Sequence, residues 1–476
     1  MPVGVDVTTA VRSGPTGATG DEAATYFVAG QTELGPIDKP VALYSLADYI
    51  AVFGQRVTYG ALYDDLRTHF EEHGVRAVVA RTVGAGATFG TLILKDQATV
   101  TALNTLQITA AFPGARSTGV TVQILAGSTA ALFTIAVFLD GVQKESYTDL
   151  GSATAAPLNN PAPIAQTALS AGNDDRASIT AATHVASLAR FGETAIDRTG
   201  QLVLLGAGIV AIPGQPATAV MPGIAAHCKL RSREALASNP VGTSQATALA
   251  NTASIISAIG VTGGLEYCAG IVFPGIRIPD VGNVIRTITA EGYVAAGRAR
   301  AILEAGPERS AIGKISEADF VIEPEVLLDR TTANSLDQAH LIPIRSVRGT
   351  VRVYGWRSLS SDPNYKLVKH RDLLNAIQID ATNLLEDLVG STIDGSGHLS
   401  SKVQAAMIGL LDPIAKRGGL YPLNGDPGYS VDVSGAINTL ATAANDVEAV
   451  VIGVRIAETA EQILLTIVKA ALAANL

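Results

Sequence analysis

Apolar positions change their spacing several times along the chain, and each change marks a change of element. Residues 1–20 open with Val3, Val5 and Val7 at alternate positions, the period of a strand, and close with SGPTGATG, a flexible Gly/Thr/Pro tether. A strand with no hairpin partner nearby in sequence needs a sheet edge elsewhere. From Ala24 to Val83 the pattern predicts a strand (TYFVAG), a helix (SLADYIAVFG, with Ser45 and Asp48 placed as a capping box), a helix (YGALYDDLRTHFEEHG) and a strand (VRAVVARTV). Leu62, Leu66 and Phe70 share one face of the second helix, which Gly74 ends. This is the start of an α/β layer.

Between about Thr91 and Leu150 the period becomes two: Leu106, Ile108 and Ala110, then Val120, Val122 and Ile124, then Phe133, Ile135, Val137 and Leu139 before an Asp140-Gly141 turn. That predicts an inserted antiparallel β domain. The Ala- and Pro-rich stretch GSATAAPLNNPAPIAQTALSAG reads as a linker back to the core. The α/β pattern resumes with QLVLLGAGIVAIPG, a helix from about Ser244 to Ile259, the strand EYCAGIVFPG and an Ala-rich helix near Glu291 to Glu304.

The last zone opens with the alternating strand RSVRGTVRVYG, the turn SSDPN and a short strand YKLVKH. A helix follows in which Leu374, Ile377, Ala381, Leu384 and Leu388 form an apolar stripe, with Arg371, Asp372, Asp380 and Glu386 off it. A second helix carries Leu399, Val403, Met407, Leu410 and Ile414 and stops at Gly418-Gly419. The strand YSVDVS, a third helix (GAINTLATAANDV), the strand VEAVVIGVRIA and the tail EQILLTIVKAALAANL complete the chain, the tail being readable as helix or strand.

Composition narrows the partners. A chain of 476 residues with 47% hydrophobic residues buries several cores and divides into two to four domains. A net charge of −9 leaves no basic face suited to phosphates, so no nucleic-acid partner is expected. Two cysteines, Cys228 and Cys268, read as buried free thiols of a protein made in a reducing compartment. The start lacks a basic segment followed by an apolar one, and Arg455, Glu458 and Glu461 interrupt the apolar C-terminal region. Neither a signal peptide nor a membrane span is expected.

Three motifs resemble catalytic ones. LLGAGIVA, Leu204 to Ala211, has the G-x-G-x-x-A spacing of a dinucleotide-binding turn, but Pro213 and Pro216 interrupt the helix that should follow, and the acidic residue expected about twenty positions on is missing. Gly84 to Gly90 leads into the strand TLILK instead of a helix. HFEEH, His69 to His73, matches the H-x-x-E-H order of a zinc site with Glu72 as base, yet no third ligand stands out, and a histidine beside Gly74 suits a helix C-terminus. Catalytic, cofactor-binding and metal-binding residues are therefore all expected to be none. The distant enzymatic alternative is an NAD-binding oxidoreductase built on LLGAGIVA.

YGWRSLSSDPNYKLVKHRDLLNAI resembles the signature of contractile-tail sheath proteins, in which a strand leads through a W-[GA]-x-R-[ST]-L-S-x-D-like turn into a strand and an Arg-rich helix start. HFEEHGVRAVVARTVG, AAFPGARSTGVTVQILAG with LFTIAVFLDGVQKESYTDL, VAIPGQ, AEGYVAAGRAR, and KVQAAMIGLLDPIAKRGGL with GYSVDV follow in that family's order. The tryptophan stands one or two places later than the family's usual aromatic, and His73 replaces a usual Gly.

The resemblance implies an α/β and α+β multidomain chain. Residues 1–20 would be an arm and tether, 21–90 and 170–345 an α/β core, 91–169 an inserted antiparallel β domain with its linker, and 346–476 an α+β polymerisation domain ending in a second arm. It implies that terminal strands containing Val3, Val5 and Val7, and Ile463, Leu465 and Ile467, pair with neighbouring copies in a helical homo-oligomer. Other implied partners are a tail tube protein, reached through Lys402, Lys416 and Arg417, and baseplate and tail terminator proteins. Location would be the virion tail, after assembly in the host cytoplasm, with no membrane insertion. A bacterial contractile injection or secretion system is the alternative setting, the inserted domain favouring a phage. Trp356 is expected in a core.

Overall fold

The computed structural model describes residues 23–98, 101–129, 131–151, 160–260, 268–280, 282 and 284–461. A ten-stranded sheet lies at its centre, in the order β11 (Leu202–Leu204), β10 (Thr194–Ile196), β2 (Val41–Leu43), β3 (Arg76–Arg81), β1 (Thr25–Gly30), β12 (Ile209–Ala211), β13 (Glu234–Ser238), β14 (Ala269–Phe273), β18 (Leu341–Val347) and β19 (Thr350–Val353). The run from β3 through β18 is parallel, which requires both faces to be covered.

Successive strand side chains point to opposite faces, so each central strand feeds two cores. Phe27, Ala29, Val78 and Val210 pack with helices α3 (Ala181–Ser187), α4 (Ala217–Arg231), α5 (Gln245–Ile259) and α7 (Arg330–Gln338). Tyr26, Val28, Val79 and Ile209 pack with α1 (Leu46–Phe53), α2 (Leu62–Glu71) and α6 (Glu291–Ala305). Trp356 belongs to this second core and is buried. Cys228 and Cys268 are both buried, and Cys268 Sγ donates to Ala225 O at 3.7 Å. A small sheet of β16 (Ile285–Ile288), β15 (Ile276–Pro279) and β17 (Glu323–Pro324) flanks the core.

Capping residues place the helices where the sequence predicts them. Ser244 accepts from the Thr247 N–H to start α5, and α6 spans the expected Ala-rich stretch. At α1, Ser45 accepts from the Asp48 N–H, but the Asp48 carboxylate returns to Tyr44 N–H and not to that of Ser45. The reciprocal cap is shifted by one residue.

The insertion pairs β4 (Phe89–Lys95) with β5 (Asn104–Pro113). It also forms a four-stranded sheet in the order β8 (Val142–Leu150), β7 (Phe133–Leu139), β6 (Val120–Ala126) and β9 (Ile164–Ala168). Asp140 and Gly141, both with positive φ, make the β7–β8 turn as expected. The supposed linker is partly strand, because β9 pairs with β6 in the insertion's own sheet. Buried Arg81 ties the base of the insertion to the core, donating to Asp174 Oδ1 at 2.6 Å, Gly35 O at 2.9 Å and Pro113 O at 3.2 Å.

Three expectations for the last zone change. RSVRGTVRVYG is not one strand: Arg348 and Gly349 both have positive φ and turn it into the β18–β19 hairpin on the edge of the core sheet. YKLVKH is not a strand either, since α8 (Val368–Glu386) begins within it after a single bridge between Arg357 and Leu367. The third helix contracts to α10 (Leu440–Ala444), capped by Thr439.

Candidate assembly interface

The C-terminal layer is built on α8 and α9 (His398–Lys416), whose buried faces meet through Leu373, Ile377, Leu411 and Ile414. The face that α8 buries follows the expected stripe only in part: Ile377 and Ala381 are buried but Leu384 is exposed, and Lys369, His370, Asp372 and Asn375 are buried beside Leu373 and Ala376. Polar side chains are buried at such a cost that each must find a partner.

Arg298, on α6, supplies the main one. Its Nε donates to Asp372 Oδ2 at 2.7 Å, its Nη2 to Asp372 Oδ1, and its Nη1 to Ala23 O at 2.6 Å. Asn375 Nδ2 donates to Glu234 Oε1 on β13 at 2.8 Å. Burial raises the Asp372 carboxyl above its ordinary range against the opposing pull of Arg298; burial, then the nearby Asp372 charge, pushes Glu234 well above its own. One polar seam thus joins the chain's first described residue, the core and the C-terminal layer.

The motif around Trp356 closes the seam from its other side. Trp356 O accepts from Val368 N–H at 3.1 Å, Ser358 N–H donates to Lys366 O at 3.0 Å, and Leu359 N–H donates to Ala269 O at 3.0 Å. The turn therefore clasps the start of α8 and fastens it to the start of β14.

On the outer side, β20 (Tyr429–Asp432) and β21 (Val451–Val454) form a two-stranded antiparallel sheet. Tyr429, Val431, Ile452 and Val454 face the α8–α9 core. Among the described residues neither strand has a second strand beside it, so both outer edges are open. Val3, Val5, Val7, Ile463, Leu465 and Ile467 lie outside the described residues.

The three candidate cations lie on or just after α9. Lys402 and Lys416 are exposed and about 40° apart around the helix axis, hence on one side. Lys416 pairs with Asp412 one turn earlier, and Arg417 pairs with Glu308 at 3.1 Å. Lys402 forms no ion pair among the described residues.

The catalytic look-alikes come apart in space. His69 is buried with Nδ1 3.3 Å from Gly292 O, while exposed His73 lies 3.0 Å from Asp319. Glu72 accepts the backbone N–H groups of Asp319, Phe320 and Val321 at 2.9–3.1 Å, which makes it a loop anchor. Gly74 packs on the His69 ring, leaving no room for a Cβ. Gly206 and Gly208 precede β12 and lie at its amino end. A ligand crevice in such a sheet would be at the carboxyl ends, where β1 separates β3 from β12. A crevice of about 410 Å³ does lie there, lined by Gly30, Tyr59, His184, Gln215 and Thr289, remote from the glycine turn. Among the described residues no cluster of three or more His, Cys, Asp or Glu is placed to hold a metal, and no helix is long and apolar enough to cross a membrane.

Two outcomes follow from this geometry. Burial holds His69 down at about 4, so the unfolded chain takes up a proton before the folded one does. The associated stability is complete above about pH 6.5 and is lost as pH falls toward 4. In urea titrations, His69→Gln should reduce the loss between pH 7 and pH 5 by about 2 kcal/mol. Millimolar NAD or NADP should leave the melting temperature unchanged; a concentration-dependent rise would revive the dinucleotide reading.

No protein-family model and no curated protein matches the sequence. Solved structures do match. The helical sheath of the anti-feeding prophage in its contracted state aligns over 94% of this chain and 94% of its own, at 15% identity and a TM-score of 0.58. The contracted PVC sheath complex of an extracellular contractile injection system aligns over 94% and 92%, at 14% identity and a TM-score of 0.58. A sheath tail protein from Listeria innocua aligns over 87% and 89%, at 13% identity and a TM-score of 0.58. Over nearly its whole length this chain has the fold of contractile sheath proteins.

Proposed function

We propose that this chain is a structural subunit of a contractile sheath, which polymerises helically around a tube by exchanging terminal strands. The observation that carries the reading is the β20–β21 sheet, open on both edges among the described residues, on a body whose described ends both abut the same layer. Ala23 is held at the α6–α8 seam, and Glu461 is bonded to Arg357 beside it. An arm entering either open edge would gain main-chain hydrogen bonds, and alternate apolar residues such as Val3, Val5 and Val7 would meet a half-buried face.

Donation from one copy to the next is head-to-tail and does not close on itself, so it builds an open helical assembly. The SGPTGATG tether would let rigid bodies rotate while a donated strand stays paired. Contraction would then drive the tube through a cell envelope without a cofactor. The side of α9 carrying Lys402 and Lys416, with Arg417 at its end, is the proposed tube-facing surface, and baseplate and terminator proteins would cap the polymer. Similarity to the anti-feeding prophage and PVC sheaths favours an injection system as a second setting beside a phage tail.

Negative-stain electron microscopy of the full chain beside a truncation lacking residues 1–12 tests the reading, with circular dichroism confirming that both fold. Hollow tubes from the full chain and monomers from the truncation are expected. Discrete monomers or dimers of the full chain, even with a cognate tube protein, would count against it. Deleting residues 91–165 should leave tube formation intact, because no described residue of the insertion belongs to the α8–α9 core; loss of assembly in a folded deletion would place it within the polymer contact.

A further inference from the structure

After β21 the chain crosses the seam as a short strap. Ala457 N–H donates to Gly419 O at 2.9 Å, and Ala457 O accepts from Lys369 Nζ at 2.5 Å. The Thr459 and Ser310 hydroxyls share a bond of 2.9 Å. Glu458 Oε2 lies 3.5 Å from both Lys366 Nζ and His370 Nε2. Glu461 Oε2 accepts from Arg357 Nη2 at 2.9 Å, and the same guanidinium bonds Asp337 on α7 at 2.7 Å.

These anchors come from both sides of the seam. Gly419, Lys366, Lys369 and His370 belong to the C-terminal layer, whereas Ser310 and Asp337 belong to the core. The strap sequence, AETAE, has no large apolar side chain, so polar contacts must hold it. Its carboxylates are partly exposed, at 59% for Glu458 and 32% for Glu461, which leaves their ion pairs open to screening by salt. Such a segment opens locally at a fraction of the cost of global unfolding.

We propose that residues 457–461 form an electrostatic latch that fixes where residues 462–476 leave the body and frees that exit when its ion pairs are weakened. The latch's role in arm exchange rests on the sheath reading; its existence does not.

Hydrogen exchange by mass spectrometry on the full, unassembled chain tests it directly. A peptide spanning residues 455–461 reports the Ala457 amide, and peptides from β1 and β3 report the core. Raising NaCl from about 0.05 M to about 0.5 M should speed exchange in the strap about threefold to tenfold with the core unchanged. Glu461→Gln should do so at low salt, and as a change near the end of the chain it leaves the core intact. Exchange indifferent to both salt and the substitution would overturn the latch. A chain that forms no tubes but shows the salt response would keep the latch and sink the sheath reading; tubes with an indifferent strap would do the reverse.

Discussion

Arg298 bonds the carbonyl of Ala23, the first described residue, and both oxygens of Asp372 on the helix that organises the C-terminal layer. Its own helix, α6, packs against the core sheet. Remove it, and a buried carboxylate and a buried carbonyl lose their partner together. A buried ion pair of this kind is weak ground for claiming extra stability, because well-packed apolar residues do as well. What it supplies is register, since the guanidinium bonds both carboxylate oxygens of Asp372 and the Ala23 carbonyl at once.

That register is what a polymer subunit needs. In the proposed polymer, force arriving at Ala23 would pass to α6 and α8 through the bonds of Arg298. The β20–β21 sheet rests on α8 and α9, and the strap at residues 457–461 spans the same seam. Ala23, the β20–β21 sheet and the strap thus meet at one seam, while the insertion stands on a separate anchor at Arg81.

Much of this was legible in the sequence. Alternating and helical spacing located the core strands, the insertion and α5 and α6, because their apolar periods and capping residues agree with the final packing. The start and buried face of α8 were not. Tyr365 and Leu367 alternate like a strand, and a search for apolar stripes passes over a face made of Lys369, Asp372 and Asn375, whose burial makes sense only once Arg298 and Glu234 are in place. Arg348-Gly349 was missed as a turn because arginine seldom adopts positive φ. HFEEH resembles a metal site because sequence gives the spacing of its histidines but not that one faces the core and the other solvent.

The central claim is that Arg298 and Asp372 lock the two layers as one body, and a double-mutant cycle tests it most directly. Arg298→Met, Asp372→Leu and the pair would be unfolded in urea, followed by the fluorescence of Trp356, the chain's single tryptophan, buried at the seam. Each single change should cost about 3–5 kcal/mol by stranding the other charge, and the double change far less than their sum. Losses that simply add would contradict the lock and leave the two layers as independently stable parts.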